Sequence, residues 1–68
     1  MTLEQIRERA FRYVNEDNLA SAASSIISDL NKIEGCRIKL QDILELQQSV
    51  LDNDGIAVLR WINDHTGA

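Results

Sequence analysis

The sequence lacks proline and holds only one cysteine, three glycines and three aromatic residues in 68 positions. A disulfide needs two cysteines and a structural zinc site needs four ligands, so Cys36 and His65 can build neither. A domain this small buries only about 60% of its unfolded surface, which leaves a thin margin of stability. We therefore expect a second subunit to widen that margin, and no metal or cofactor.

Long apolar runs are also missing. No stretch approaches the roughly 20 residues that cross a bilayer, and MTLEQIRERAF at residues 1–11 carries charges where a signal peptide is apolar. We therefore expect a cytoplasmic protein without a membrane partner. Seven basic residues against eleven acidic ones give a formal net charge of −4, which opposes attraction to phosphate backbones. Nucleic acid is not the expected partner.

The spacing of apolar residues is helical rather than alternating along most of the chain. It predicts an all-α fold: a small compact bundle of four short helices at about 3–15, 18–34, 40–52 and 54–65, which dimerisation can complete. Residues 1–68 are expected to form a single helical domain. Thr2 and Gln5 have the spacing of a capping box, and Asp17 or Asn18 is the expected cap of the second helix.

The second helix has the clearest apolar period, and Gly35 is expected to follow its end as the C′ residue. The third helix has two possible starts. With Asp42 as N-cap and Glu45 as its partner it begins at Ile43; otherwise it begins near Ile38. In both cases a core-facing stripe of roughly 140° is predicted. That stripe consists of Ile43, Leu44, Leu46, Gln47, Val50 and Leu51.

The fourth helix follows a turn signal in DNDGIAVLRWIND, residues 52–64, and is expected to start from Asn53 or Asp54 and to fray from residue 66. Its inward stripe is predicted to be Ile56, Leu59 and Ile62. Val58 and Trp61 widen the apolar arc to roughly 220°, which is more than one neighbouring helix covers. Either this helix is central in the fold or Val58 and Trp61 belong to an interface.

These features favour a non-enzymatic protein-interaction or regulatory module that docks on protein as a homodimer through the apolar face of the last helix. Tryptophan anchors concentrate interface energy, so the predicted interface centres on Trp61 and Val58. Leu46 and Phe11 are expected beside them, with Arg60 orienting the partner from the rim. Phage- and plasmid-type accessory regulators or inhibitors are often of this class.

A helix-turn-helix-like transcriptional regulator that binds DNA with helices three and four is the alternative. LQDILEL, a break and GIAVLRWIND have its rhythm, with the fourth helix in the recognition position. Against it, that helix offers only Arg60 and Asn63 beside Asp64. The predicted linker SVLDNDG is also longer and more acidic than the usual turn of a helix-turn-helix motif.

The residues that could carry catalysis are isolated. Cys36 is expected to be a small apolar residue at a turn. His65 is expected to lie in the last turn of a helix, where a cation complements the helix dipole. DNDG resembles a calcium loop, but its twelfth position is Asn63, where a bidentate acid is required. We therefore expect no enzyme, no cofactor and no small-molecule substrate.

The basic side chains are unevenly distributed. Glu4 and Glu8 have the spacing for intrahelical pairs with the arginines of the first helix, which favours a solvated charged face. The alternative is a contact surface for an anionic partner. The basic residues concerned are Arg7, Arg9 and Arg12 on the first helix, and Lys32, Arg37 and Lys39 around the turn after the second.

Overall fold

The structure is a computed structural model that describes residues 2–33 and 38–67. These ranges contain four α-helices and no strand: α1 (Leu3–Asn15), α2 (Leu19–Asn31), α3 (Leu40–Leu51) and α4 (Gly55–Thr66). The predicted all-α fold of four short helices is confirmed. No helix in these ranges is long and apolar enough to span a bilayer. Gly35, Cys36 and Arg37 lie outside the described residues, so the expectations placed on them are not addressed.

The predicted caps of α1 and α2 are present. The Thr2 hydroxyl accepts a hydrogen bond from the Gln5 backbone N–H at 3.2 Å, and the Gln5 side chain accepts one from the Thr2 backbone N–H at 2.9 Å. These reciprocal bonds satisfy two N–H groups that a helix start otherwise leaves unpaired. Of the two candidates for the second cap, Asn18 is the one used, because its side chain accepts from the Ser21 N–H.

Helix α2 ends at Asn31, three residues before the predicted end. Two of its last carbonyls accept hydrogen bonds from N–H groups only three residues further on. The Lys32 N–H donates to the Asp29 carbonyl at 3.2 Å, and the Ile33 N–H donates to the Leu30 carbonyl at 3.1 Å. Such bonds between residues three apart narrow the final turn and stop the α-helical ladder. Ile33 still packs against the core from beyond the helix end.

Helix α3 begins at Leu40, which agrees with the predicted range of about 40–52 and excludes the alternative in which Asp42 is its N-cap. Lys39 occupies the N-cap in an extended conformation and makes no side-chain capping bond, since an ammonium group cannot accept one. Asp42 instead lies in the first turn, where its negative charge complements the helix dipole.

Only residues 52–54 separate α3 from α4, because the first three residues of SVLDNDG continue α3. The expected long linker is therefore wrong. Asn53 adopts the left-handed conformation with φ 54°, and the Asp54 side chain caps α4 by accepting from the Ala57 N–H at 3.1 Å. Thr66 does not fray: it is buried, and its hydroxyl donates to the Ile62 carbonyl at 2.7 Å.

Helices α2 and α4 occupy the centre of the bundle. Each contacts the other three helices, whereas α1 and α3 bring no Cα atoms within 8 Å of each other in the described residues. All four helices contribute to one core. Its buried members are Ile6, Ala10, Leu19, Ala23, Ile26, Leu30, Leu46, Val58, Trp61 and Ile62. Helix α3 therefore lies at the periphery and has neighbours on fewer sides than α4.

Candidate protein-docking surface

Trp61 lies inside the folded chain, with 6% of its surface exposed. Its indole N–H donates to the backbone carbonyl of Asp42 at 2.9 Å, which joins the middle of α4 to the first turn of α3. A buried indole needs such an acceptor, because an unpaired N–H away from water is costly. The side chain is thus satisfied within one subunit.

His65 completes the contact between these two helices. Its ring stacks on the Trp61 indole, with centroids 3.7 Å apart and an interplanar angle of 16°. Nδ1 lies 2.8 Å from the Trp61 carbonyl oxygen and donates to it, because a carbonyl can only accept. Nε2 lies 3.4 Å from Oδ2 of Asp42. The three side chains explain why the last turn of α4 is held in place.

The expectation that Val58, Trp61 and Leu46 lie on an outer apolar face is wrong. Val58 and Leu46 are fully buried in the same core as Trp61, because α4 is surrounded by three helices and its wide apolar arc is used internally. Phe11 is half-buried against that core, and Arg60 is exposed. The structure therefore brings three of the five predicted interface residues together as interior.

The exposed apolar side chains lie on α3 instead. Leu40, Leu44 and Leu51 are 72%, 54% and 79% exposed. At 100° per residue these leucines and Gln47 fall within about 60° of one another, so they form one narrow strip, here called the leucine face. The predicted core-facing stripe of α3 is thus only partly correct, since Leu44 and Leu51 point to solvent while Leu46 is buried.

A shallow groove between α2 and α3 borders the leucine face. Its α2 wall is built mostly from small side chains, and its α3 wall continues into the exposed leucine at the end of that helix. The lining residues are Ala20, Ala23, Ser24, Ile27, Gln47, Val50 and Leu51. Small residues on one wall let another helix approach closely, and the aliphatic residues offer it apolar contact.

Ile56, predicted to point inward, is 71% exposed because it lies in the first turn of α4, beyond the reach of the core. It borders a different depression, beside Glu45 and Ser49, and so does not extend the leucine face. Arg60 lines the same depression together with two more acids, Asp54 and Asp64. Ile56 is consequently a single exposed side chain in a polar setting.

The outward side of α4 is poorly suited to DNA, although the short turn before it removes one objection to the helix-turn-helix alternative. Around the one arginine, Arg60, stand Glu45, Asp54 and Asp64. A recognition helix needs net positive charge to approach phosphates, and three acids beside one base oppose that approach.

The ion pairs differ from the predicted intrahelical ones. Within residues 2–33 and 38–67, the arginine and lysine side chains form one ion pair, Arg9 with Asp29 at 3.8 Å. The intrahelical pairs that the spacing of Glu4 and Glu8 predicts do not form within these residues, and Arg9 instead reaches across to the buried carboxylate of Asp29 on α2. Glu4 and Glu8 are exposed, which agrees with the predicted solvated face.

Metal-binding side chains do not converge in the part of the chain that the structure describes, where no three of His, Cys, Asp and Glu form a group that could hold an ion.

Comparisons with protein families, with curated proteins and with solved structures found no match. The leucine face is therefore interpreted from its own geometry. Its sequence signal is the spacing of positions 40, 44, 47 and 51, which the wider apolar stripe of α3 obscures.

Proposed function

We propose that this protein is a non-enzymatic interaction module that docks on protein through the leucine face of α3. The observation that carries the proposal is the exposure of Leu40, Leu44 and Leu51 on one side of a peripheral helix. Apolar side chains that line up on one face, unlike ones scattered singly, are typical of an interaction site. The docking surface is thus moved from Trp61, as predicted from the sequence, to α3.

The leucine face offers apolar free energy to a partner. The three exposed fractions amount to roughly two complete leucine side chains left in water, and burying one such side chain yields about 1.5–3 kcal/mol. A partner that covers the strip recovers this free energy without unfolding any part of the bundle. Trp61 and Val58 cannot contribute in the same way, because they are already buried.

An α-helix is the partner element that fits best. The strip is narrow and straight, and the groove beside it runs between two helices with Ala20 and Ser24 on its open wall. An amphipathic helix laid into such a groove contacts both walls at once. Docking of this kind supports a regulatory or inhibitory role, in which the protein acts by covering a surface of its partner. The cytoplasmic location stays a prediction from the sequence.

Site-specific photo-crosslinking in the source cells tests this proposal. A photoreactive amino acid replaces Leu44, and a matched protein carries it at Ile56, which is comparably exposed on another face. We expect discrete crosslinked adducts from position 44 and none from position 56. The adducts from position 44 should disappear when Leu51→Glu is added, because a carboxylate on the strip opposes burial.

The opposite pattern would refute the proposal. Adducts from position 56 but not from 44, or adducts from 44 that survive Leu51→Glu, would mean that the leucine face is not the docking surface. Circular dichroism of each variant checks that the helices remain, so that lost adducts are not attributed to unfolding.

A further inference from the structure

We infer that the partner seated on the leucine face is a second copy of this chain, with the two α3 helices packed antiparallel about a twofold axis. This inference rests on the proposed docking role of that face. It adds the identity of the partner and the register of the contact. In that register, Leu40 lies against the partner's Leu51, and Leu44 against the partner's Gln47.

The spacing of the leucine face is that of a helix-pairing seam. Positions 40, 44, 47 and 51 are separated by four, three and four residues, the alternation that places side chains along the contact line of two packed helices. Three of the four positions are leucine. The seam runs the whole length of α3, which spans Leu40–Leu51.

The same spacing is symmetric under reversal, so a second, antiparallel copy of this chain fits it. A twofold interface must be self-complementary, since each residue that contacts a given position is contacted by it in return. Reading four, three, four backwards gives the same order, so an axis between Leu44 and Gln47 superposes the seam of α3 on that of an antiparallel copy. An unrelated partner imposes no such symmetry.

The charges agree with self-association in this orientation. The leucine face and its neighbours Gln41 and Gln48 are uncharged, so the net charge of −4 does not place like charges against each other in the seam. Antiparallel packing also sets the positive N-terminal dipole of one α3 beside the negative C-terminal dipole of the other. Lys39 and Asp52, which flank the two ends, carry opposite charges.

The groove beside the seam provides room for the second helix. Ala20 and Ser24 are small and exposed on α2, so they do not obstruct a helix that approaches α3 from that side. Each α3 then contacts α3 and the edge of α2 of the other copy. The seam is short, and interfaces at the small end of the range are reversible, so we expect micromolar dimerisation.

Charge exchange across the seam tests both the partner and the register. Sedimentation equilibrium from micromolar to millimolar protein should show the wild-type mass rise from 7.7 kDa towards twice that value. Leu40→Glu alone and Leu51→Lys alone should each raise the dissociation constant at least about tenfold. An equimolar mixture of the two variants should recover dimers, because the new glutamate meets the new lysine and the remaining leucines meet each other.

Controls make each outcome decisive. Ile56→Glu adds the same charge on another face and should leave dimerisation unchanged. Circular dichroism checks that each variant is folded. We expect it to be, because positions 40 and 51 are exposed and their substitution leaves the core intact. A parallel pair places position 40 against 40 and 51 against 51, so failure of the mixture to recover dimers would overturn the register.

The remaining outcomes separate this inference from the proposed function. A wild-type chain that stays monomeric throughout the range would overturn the second copy as partner. The proposed function would still stand if the photoreactive group at position 44 then captured other identified proteins. If dimerisation is unchanged by Leu40→Glu and by Leu51→Lys but is lost in Ile56→Glu, the leucine face is not the interface. That result would refute both the proposed docking function and this inference.

Discussion

Helices α3 and α4 are both amphipathic, yet they treat their apolar side chains in opposite ways. The apolar arc of α4 is the wider of the two, but Val58, Trp61 and Ile62 are buried because three helices surround it. The arc of α3 is narrower, and two leucines within it remain exposed because α1 does not reach that helix. Between these two helices, the number of neighbouring helices, rather than the width of the apolar arc, decides how much apolar surface is left for a partner.

The largest expected difference lies within α3 itself. Leu46→Ala should lower the free energy of unfolding by about 2–5 kcal/mol, because it leaves a cavity in the core. Leu44→Ala, two positions earlier and exposed, should change it by no more than about 0.5 kcal/mol in the monomer. Urea unfolding followed by circular dichroism at low protein concentration measures both. Equal losses would mean that α3 does not present one buried and one exposed side.

The contact between the two helices ranks second. Trp61→Phe removes the hydrogen bond to the Asp42 carbonyl and reduces the stacking on His65, which should cost about 1–3 kcal/mol. Asp42→Ala keeps the carbonyl and removes only the carboxylate, so its cost should stay below about 1 kcal/mol. The same unfolding measurement compares them, and a larger effect for Asp42→Ala would show that the side chain, not the backbone acceptor, fixes the contact.

The starts of α3 and α4 give a third contrast. Asp54→Ala should destabilise by about 1 kcal/mol, since it removes the bond to the Ala57 N–H. Lys39→Ser should stabilise by about 0.5–1 kcal/mol, because it supplies the cap that α3 lacks. Urea unfolding at matched concentration reads both signs. Destabilisation by Lys39→Ser would contradict the assignment of Lys39 as the N-cap.

The smallest expected effects come from the glycines that border α4. Gly55→Ala meets open space at an ordinary helical position and should stabilise by about 0.4–1 kcal/mol through a less flexible unfolded chain. Gly67 has φ 76°, where a Cβ is strained, so Gly67→Ala should destabilise by about 1 kcal/mol. Thermal unfolding of the two variants should shift in opposite directions. Shifts of the same sign would refute the assigned ends of α4.

Much of the fold was predictable because its signals are local. The capping box of Thr2 and Gln5, the Asn18 and Asp54 caps and the apolar periods all depend on residues a few positions apart. The N-cap of α3 was left open between two alternatives, since Lys39 offers no capping group to recognise. The early end of α2 was missed for a similar reason, because tightened backbone bonds carry no side-chain signature.

The candidate site was less predictable because it depends on tertiary neighbours. The arc of α4 suggested two alternatives, a central helix or an interface, and no local pattern distinguishes them. Because α4 contacts three helices, it lies in the centre of the fold, and its apolar arc is not left free for an interface. The leucine face could have been suspected from the spacing of residues 40–51, but its exposure follows from the absence of α1 beside α3 in the described structure.

The concentration dependence of Trp61 fluorescence tests most directly which of the two surfaces is interior and which is free. The chain has one tryptophan, so quenching by acrylamide reports on that side chain alone. We expect a blue-shifted, poorly quenched emission that is the same for the dilute monomer, the concentrated wild type and Leu40→Glu. Strong quenching in the dilute protein that disappears on association would contradict the account, because Trp61 would then be covered by the partner rather than by its own fold.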